Sequence, residues 1–174
     1  MPIARTVCGD GTFDGACAMM VRPDLALIAT STRTNPDGAQ QVADARTAMG
    51  VDNVIRVHVP YGQIHLDGCM NVVNRNTVVF SPWRMPSLAV HELESHGVRM
   101  VPATVLDEVA GMGLNFVALR PGKVVMPAGF PESRKLLDRI GVEAIAVAVD
   151  DIGRAGGEMH RLTGVVRREP LGLH

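Results

Sequence analysis

Apolar and polar positions along this chain follow a pattern that repeats. "DLALIATSTRTNPDGAQQVADARTAMGVDNVIRVHV" reads as an apolar strand, a proline-containing turn, a helix, a Gly-Val step and a second apolar strand. "NTVVFSPWRMPSLAVHELESHGVRMVPA" and "KVVMPAGFPESRKLLDRIGVEAIAVAV" read the same way. One more apolar segment precedes each of them: "ACAMMV", "GCMNVVN" and "LNFVALR". The unit is β-β-α-β, used about three times. A last strand is expected in "LTGVVRR".

Local signals place the helix ends. A proline before each helix suits a first turn, where its missing N–H has no partner to lose. Gly50, Gly97 and Gly141 follow the helical stretches, where a C-cap wants a left-handed residue. Helical spacing predicts buried faces made by Val42, Ala45 and Met49, by Leu88 with Val90 to Leu93, and by Leu136, Leu137 and Ile140. The strands are nearly continuous apolar runs, the mark of strands covered on both faces. No linker or low-complexity segment interrupts the pattern, so residues 1–174 read as a single α/β domain.

Composition narrows the class. A formal net charge of -1 gives no reason to expect nucleic acid or an anionic membrane as partner. Hydrophobic residues make up 47% but aromatics only 3%, so the core is aliphatic, with ten methionines as adaptable filler. No apolar run approaches the ~20 residues of a membrane span, and "MPIARTVCGDGTF" lacks the features of a signal peptide. Cys8, Cys17 and Cys69 are odd in number and fall in no metal-ligand spacing. A reduced, cytoplasmic setting is the expectation, with no metal and no cofactor. "HELESH" (His91, Glu92, His96) misses the zinc spacing by one residue and reads as a solvated helix face.

Three segments carry candidate chemistry. "GTFDGACAMMVRPDLALIATSTRTNPDGAQQV", "IHLDGCMNVV" and "GGEMHRLTGVVRREP" occur in this order. Together they resemble the guanidine-modifying superfamily, whose members include arginine deiminase, dimethylarginine dimethylaminohydrolase and glycine amidinotransferase. The first resembles the segment with the Glu/Asp-Gly-Gly-Asp motif, the second the His-Leu-Asp motif, the third the carboxy-terminal block. The resemblance covers roughly residues 10–170.

The superfamily fold is a propeller of five ββαβ units, so the resemblance implies an incomplete α/β propeller of about three units. Such an arc leaves apolar edges. It implies a homo-oligomer, or a second chain completing the propeller. In the superfamily a cysteine thiolate attacks the guanidinium carbon, a histidine moves protons, and carboxylates hold the guanidinium nitrogens. Carried over, His65 matches the acid/base, Asp14 the acid that orients it, and Asp67 a guanidinium-binding carboxylate.

The departures decide the functional expectation. Ala16 and Cys17 stand where the motif has a glycine and an acid, and Arg161 stands in place of the nucleophile. A guanidinium with a pKa above about 12 neither attacks nor shuttles protons at neutral pH. The expectation is a non-catalytic binding or regulatory subunit with an acidic, guanidinium-type site for a guanidino small molecule. An arginine fork matches a carboxylate bidentately, so Arg161 is expected to pair with Asp67 or Asp14. The alternative is an active hydrolase or amidinotransferase on an arginine-like substrate, using Cys17 or a group from a partner chain. A third reading is a structural subunit without a ligand.

Overall fold

The computed structural model describes residues 3–110, 112–149 and 159–165. The ββαβ repeat is present in full three times. Unit 1 holds β1 (Ala18–Arg22), β2 (Leu25–Thr30), α1 (Pro36–Ala48) and β3 (Asn53–His58). Unit 2 holds β4 (Met70–Asn74), β5 (Thr77–Phe80), α2 (Ser87–Ser95) and β6 (Arg99–Pro102). After the short helix α3 (Leu106–Ala110), unit 3 holds β7 (Val117–Arg120), β8 (Lys123–Pro127), α4 (Pro131–Arg139) and β9 (Glu143–Val147). The sequence pattern contains no signal for α3, which is too short to show periodicity.

The units form three three-stranded sheets, ordered β1-β2-β3, β4-β5-β6 and β7-β8-β9. In each, the middle strand runs antiparallel to the first and parallel to the third. Each first strand shifts register near its end, between Met20 and Arg22, Val72 and Asn74, and Ala118 and Arg120. The described residues form a mixed α/β fold with no closed barrel. None of their helices is long and apolar enough to cross a membrane.

Helix ends follow the sequence signals. Gly50, Gly97 and Gly141 have φ of 89, 75 and 76°. The residue after each donates back across the last turn: Val51 to Arg46, Val98 to Leu93, Val142 to Leu137. That is the bond pattern a left-handed C-cap residue permits. Pro36 and Pro131 start α1 and α4, whereas Pro86 is the N-cap of α2 rather than a first-turn residue.

The buried helix faces match the expected ones in part: Leu93 and Leu137 are buried, and Val42, Val90, Leu136 and Ile140 pack against the core, while Met49 and Leu88 point outward. In α1 the inward residues are Gly38, Ala39 and Ala43, and Met49 is exposed. In α2 they are Ala89 and Leu93, with Leu88 exposed. In α4 they are Ser133 and Leu137. In α1 the inward residues are all small and let the helix approach closely, whereas Leu93 and Leu137 fill the space under α2 and α4. At Gly38 a Cβ would lie 2.0 Å from the carbonyl oxygen of Thr12. Asn35 holds that contact: its Oδ1 accepts from Thr12 and Gly38 N–H, and its Nδ2 donates to the Asp10 carbonyl.

Two apolar clusters tie the units together. One joins unit 1 to unit 2 through Leu25, Leu27, Val57, Met70, Ala89 and Leu93, among others. The other joins unit 2 to unit 3 through Val73, Val79, Val101, Phe116, Met126 and Leu137. Buried Asn71 donates from Nδ2 to the carbonyls of Leu114 and Phe116, linking the second and third sheets. The strand expected in "LTGVVRR" is not formed where it is described. Leu162 belongs to a 3-10 turn, Met159–Leu162, and residues 163–165 are irregular. The remainder of that segment, with Arg167 and Arg168, lies outside the described residues, as do Gly156 and Gly157.

Candidate functional site

The turns that enter the first strand of each unit converge. In unit 1 a 3-10 turn, Gly15–Cys17, leads into β1, and Asp14 is its N-cap. In unit 2 the turn Leu66–Gly68 leads toward β4, and His65 is its N-cap. Cys17, Cys69 and Asn115 hold the same place in units 1, 2 and 3, at the mouth of the first strand, and all three are buried. The repeat thus puts polar groups from all three units at one set of strand ends.

Asp14 and His65 meet directly. The carboxylate Oδ2 lies 3.0 Å from His65 Nε2, and Oδ1 accepts the N–H of Ala16 at 3.0 Å. Burial pushes the Asp14 carboxyl up. The Ala16 N–H, the hydrogen bond and charge of His65, and the Arg33 guanidinium together outweigh it, so the group sits below its ordinary value. An ionised carboxylate only accepts. His65 Nε2 therefore carries the proton toward Asp14, which fixes the ring's orientation. Arg33 of the "RTN" turn sits 3.7 Å from the same Oδ2, and Thr34 Oγ1 accepts the Asp14 N–H at 2.9 Å.

Asp67 is fully buried and belongs to a second group. Its Oδ2 accepts from Asn115 Nδ2 at 3.4 Å and lies 3.3 Å from His160 Nδ1. The His160 backbone N–H donates to Asn115 Oδ1 at 2.7 Å. The three residues form a ring that fastens the turn Met159–Leu162 to units 2 and 3. Neither Asn115 nor His160 was singled out from the sequence as a site residue. The available signals were the neighbour relation of His160 to Arg161 and the position of Asn115 in the repeat. The backbone of Arg161 follows His160 in that turn, while its side chain lies outside the described residues, and with it the expected ion pair.

Both cysteines beside this cluster are buried. Cys17 Sγ donates to the Ile64 carbonyl at 3.4 Å and lies 3.4 Å from Ser31 Oγ. Cys69 Sγ donates to the His65 carbonyl at 3.5 Å. Burial drives the Cys69 thiol up to about 12, with Arg84 opposing and Asp67 and Cys17 adding. Cys69 is thus a thiol at neutral pH. Among the described residues, no group of three or more His, Cys, Asp and Glu side chains is arranged to hold a metal ion. A surface hollow of about 390 Å³, lined by Ala4, Arg5, Asp44, Ala45, Ala48 and Met49, shares no residue with the cluster.

A repeated ββαβ fold with an acid-oriented histidine at its strand ends defines a protein of the guanidine-modifying superfamily. The family model for arginine deiminase matches residues 3–98, and the chain belongs to that family. It is 26% identical over 190 residues to an arginine deiminase of Rhodococcus erythropolis and 23% identical over 192 residues to one of Mycobacterium avium. Each match takes in 91% of this chain and 47% of the relative. The chain spans about half the length of the curated relatives it matches.

Solved structures share the fold. DDAH from Pseudomonas aeruginosa, in complex with citrulline, aligns with a TM-score of 0.69 and 24% identity, over 87% of this chain and 55% of that one. An amidinotransferase of saxitoxin biosynthesis from Microseira wollei gives 0.78 and 17%, over 92% and 49%. The inosamine-phosphate amidinotransferase of Streptomyces griseus gives 0.73 and 19%, over 98% and 51%.

Proposed function

We propose that this chain is a non-catalytic member of the family, an arc of three propeller units that keeps a guanidinium-type acidic site without the covalent nucleophile. The observation that carries this reading is the Asp14–His65 contact at 3.0 Å beside a buried Asp67. The parts that orient a proton-transferring histidine and neutralise a cation are retained, yet the residue after His160 is arginine. In this reading Asp67 is the guanidinium-binding carboxylate, and Arg161 pairs with it or with Asp14. The protein acts as a binding or regulatory subunit, in a reduced compartment.

The competing reading, a hydrolase or amidinotransferase using Cys17, draws support from the closeness of that thiol to the Asp14 turn. Its burial and its bond to the Ile64 carbonyl oppose it, since reactive thiolates sit in accessible, electropositive places. Two measurements separate the readings. Citrulline and ammonia release from arginine, dimethylarginine and agmatine is expected at the no-protein rate. Labelling of Cys17 by a thiol-directed haloacetamidine is expected to be slow. Turnover that disappears in Cys17→Ser would establish the enzyme reading. Calorimetric binding of arginine by Arg161→Ala but not by the parent chain is the positive result for a self-occupied site.

A further inference from the structure

The ring around Asp67 has a fixed half and a loose half. Asp67 lies in the turn Leu66–Gly68 and Asn115 at the mouth of β7, and both are buried. His160 is the loose half: its side chain is 36% exposed, against 1% for that of Asp67. The apolar side chains around it, Met159, Leu162 and Val165, join none of the apolar clusters of the core, and Leu162 and Val165 are exposed. Of the described polar contacts from this segment to the rest of the fold, both run through His160. Its backbone N–H donates to Asn115 Oδ1 at 2.7 Å, and its Nδ1 lies 3.3 Å from Asp67 Oδ2. A segment held mainly by polar ties, with few apolar contacts, is one that opens locally at low cost.

The chemistry of the carboxylate makes that opening matter. A carboxylate oxygen offers two lone pairs. On Oδ2 of Asp67 they face Asn115 Nδ2 at 3.4 Å and His160 Nδ1 at 3.3 Å. A guanidinium grips a carboxylate through two parallel N–H···O bonds, one to each oxygen. It therefore needs a lone pair that Asn115 or His160 holds. Asn115 is buried in unit 3 and stays in place. His160, on the half-exposed turn, is the group that can give way. A half-exposed imidazole against a buried carboxylate also marks the side from which a ligand arrives.

We propose that the turn Met159–Leu162 is a latch over the site. His160 holds Asp67 when no ligand is present, and a guanidinium or amidinium cation that takes Asp67 displaces the turn. Ligand and latch draw on one acceptor, so each weakens the other by the same factor. The apparent affinity for the cation is reduced by the fraction of molecules in which the latch is closed. The proposal rests on the reading of Asp67 as the carboxylate that receives a guanidinium.

The test uses the full chain, agmatine as the probe, calorimetry for binding and amide exchange for the turn. His160→Ala removes the imidazole tie and is expected to tighten agmatine binding by up to about fivefold, the worth of a half-exposed pair. His160→Pro also removes the backbone N–H and is expected to tighten it about tenfold or more. Arg161 is present in all three chains, so the series reads the latch and not the arginine. Exchange at residues 159–163 is expected to rise in the same order without ligand, with the rest of the fold unchanged because His160 lies on the surface. In each chain that binds agmatine, saturating ligand is expected to raise it further. Exchange at these residues that His160→Pro leaves unchanged overturns the latch whatever binds. Equal affinities in the three chains, with exchange unmoved by agmatine, overturn the latch and keep the guanidinium site. No binding even by a His160→Pro chain whose turn is released overturns the guanidinium reading, and the latch with it.

Discussion

His160 Nδ1 lies 3.3 Å from Oδ2 of Asp67, across 93 positions of sequence, and Asn115 closes the ring between them. This contact holds the turn Met159–Leu162 at the site. Asp67→Ala removes the buried acceptor of the ring and is expected to cost on the order of 3–5 kcal/mol. His160→Ala removes a partly exposed partner and is expected to cost about 1 kcal/mol or less. Denaturant melts give the energies. Amide exchange is expected to speed up at residues 159–163 in both variants, and unchanged exchange there would remove the anchoring role.

Arg161 sits next in the turn that this ring holds. If its guanidinium pairs with Asp67 or Asp14, Arg161→Ala is expected to cost about 3–5 kcal/mol for a buried pair and under about 1 kcal/mol for an exposed one. Arg161→Lys keeps the charge but loses the fork, so it is expected to fall between Arg161→Ala and the parent. Equal, near-zero losses for both in denaturant melts would leave Arg161 a surface residue. Arg161→Cys is expected to restore no substantial deimination.

Asp14 makes acid stability sensitive to one carboxyl. Its folded-state value lies below the ordinary one, so its contribution is complete above the unfolded carboxyl's value near ~4. That contribution is lost as the pH falls through the lower folded value. Asp14→Asn is expected to destabilise by roughly 1–2 kcal/mol at neutral pH. The difference from the parent is expected to shrink below about pH 4 and vanish in strong acid. Melts across that range check this, and a difference that stays constant with pH would show that the ionised form does not matter.

Gly38 is required by close approach, not by backbone angle. A methyl group there meets the Thr12 carbonyl, so Gly38→Ala is expected to cost about 1–3 kcal/mol through overpacking. At Gly15 a Cβ meets nothing within 4 Å, and Gly15→Ala is expected to stay within about 0.5 kcal/mol of the parent. The pair of thermal melts reads the contact between α1 and the segment that carries Asp14.

Much of the architecture was legible because it depends on local chemistry. Apolar runs separated by turns marked the strands, and Gly50, Gly97 and Gly141 marked the helix ends, since φ above zero suits glycine wherever the chain needs it. The pairing of His65 with Asp14 was legible through the motifs. The buried helix faces were legible only in part: Leu93 and Leu137 are buried as expected, Met49 and Leu88 are not. Met49 and Leu88 fit a helical stripe, yet which stripe turns inward depends on how close each helix comes to its sheet, and Ala39, Ala43 and Ala89 allow the closer approach.

The sequence by itself determined that three ββαβ units follow one another and that the candidate acids and histidine fall just before apolar strands. These follow from periodicity, turn residues and side-chain chemistry, each set within a few residues. Only the tertiary structure decided that Asn115 and His160 join Asp67 and that both Cys17 and Cys69 are sealed from solvent. Those outcomes depend on contacts between residues far apart in sequence, and no local pattern encodes which unit lies against which.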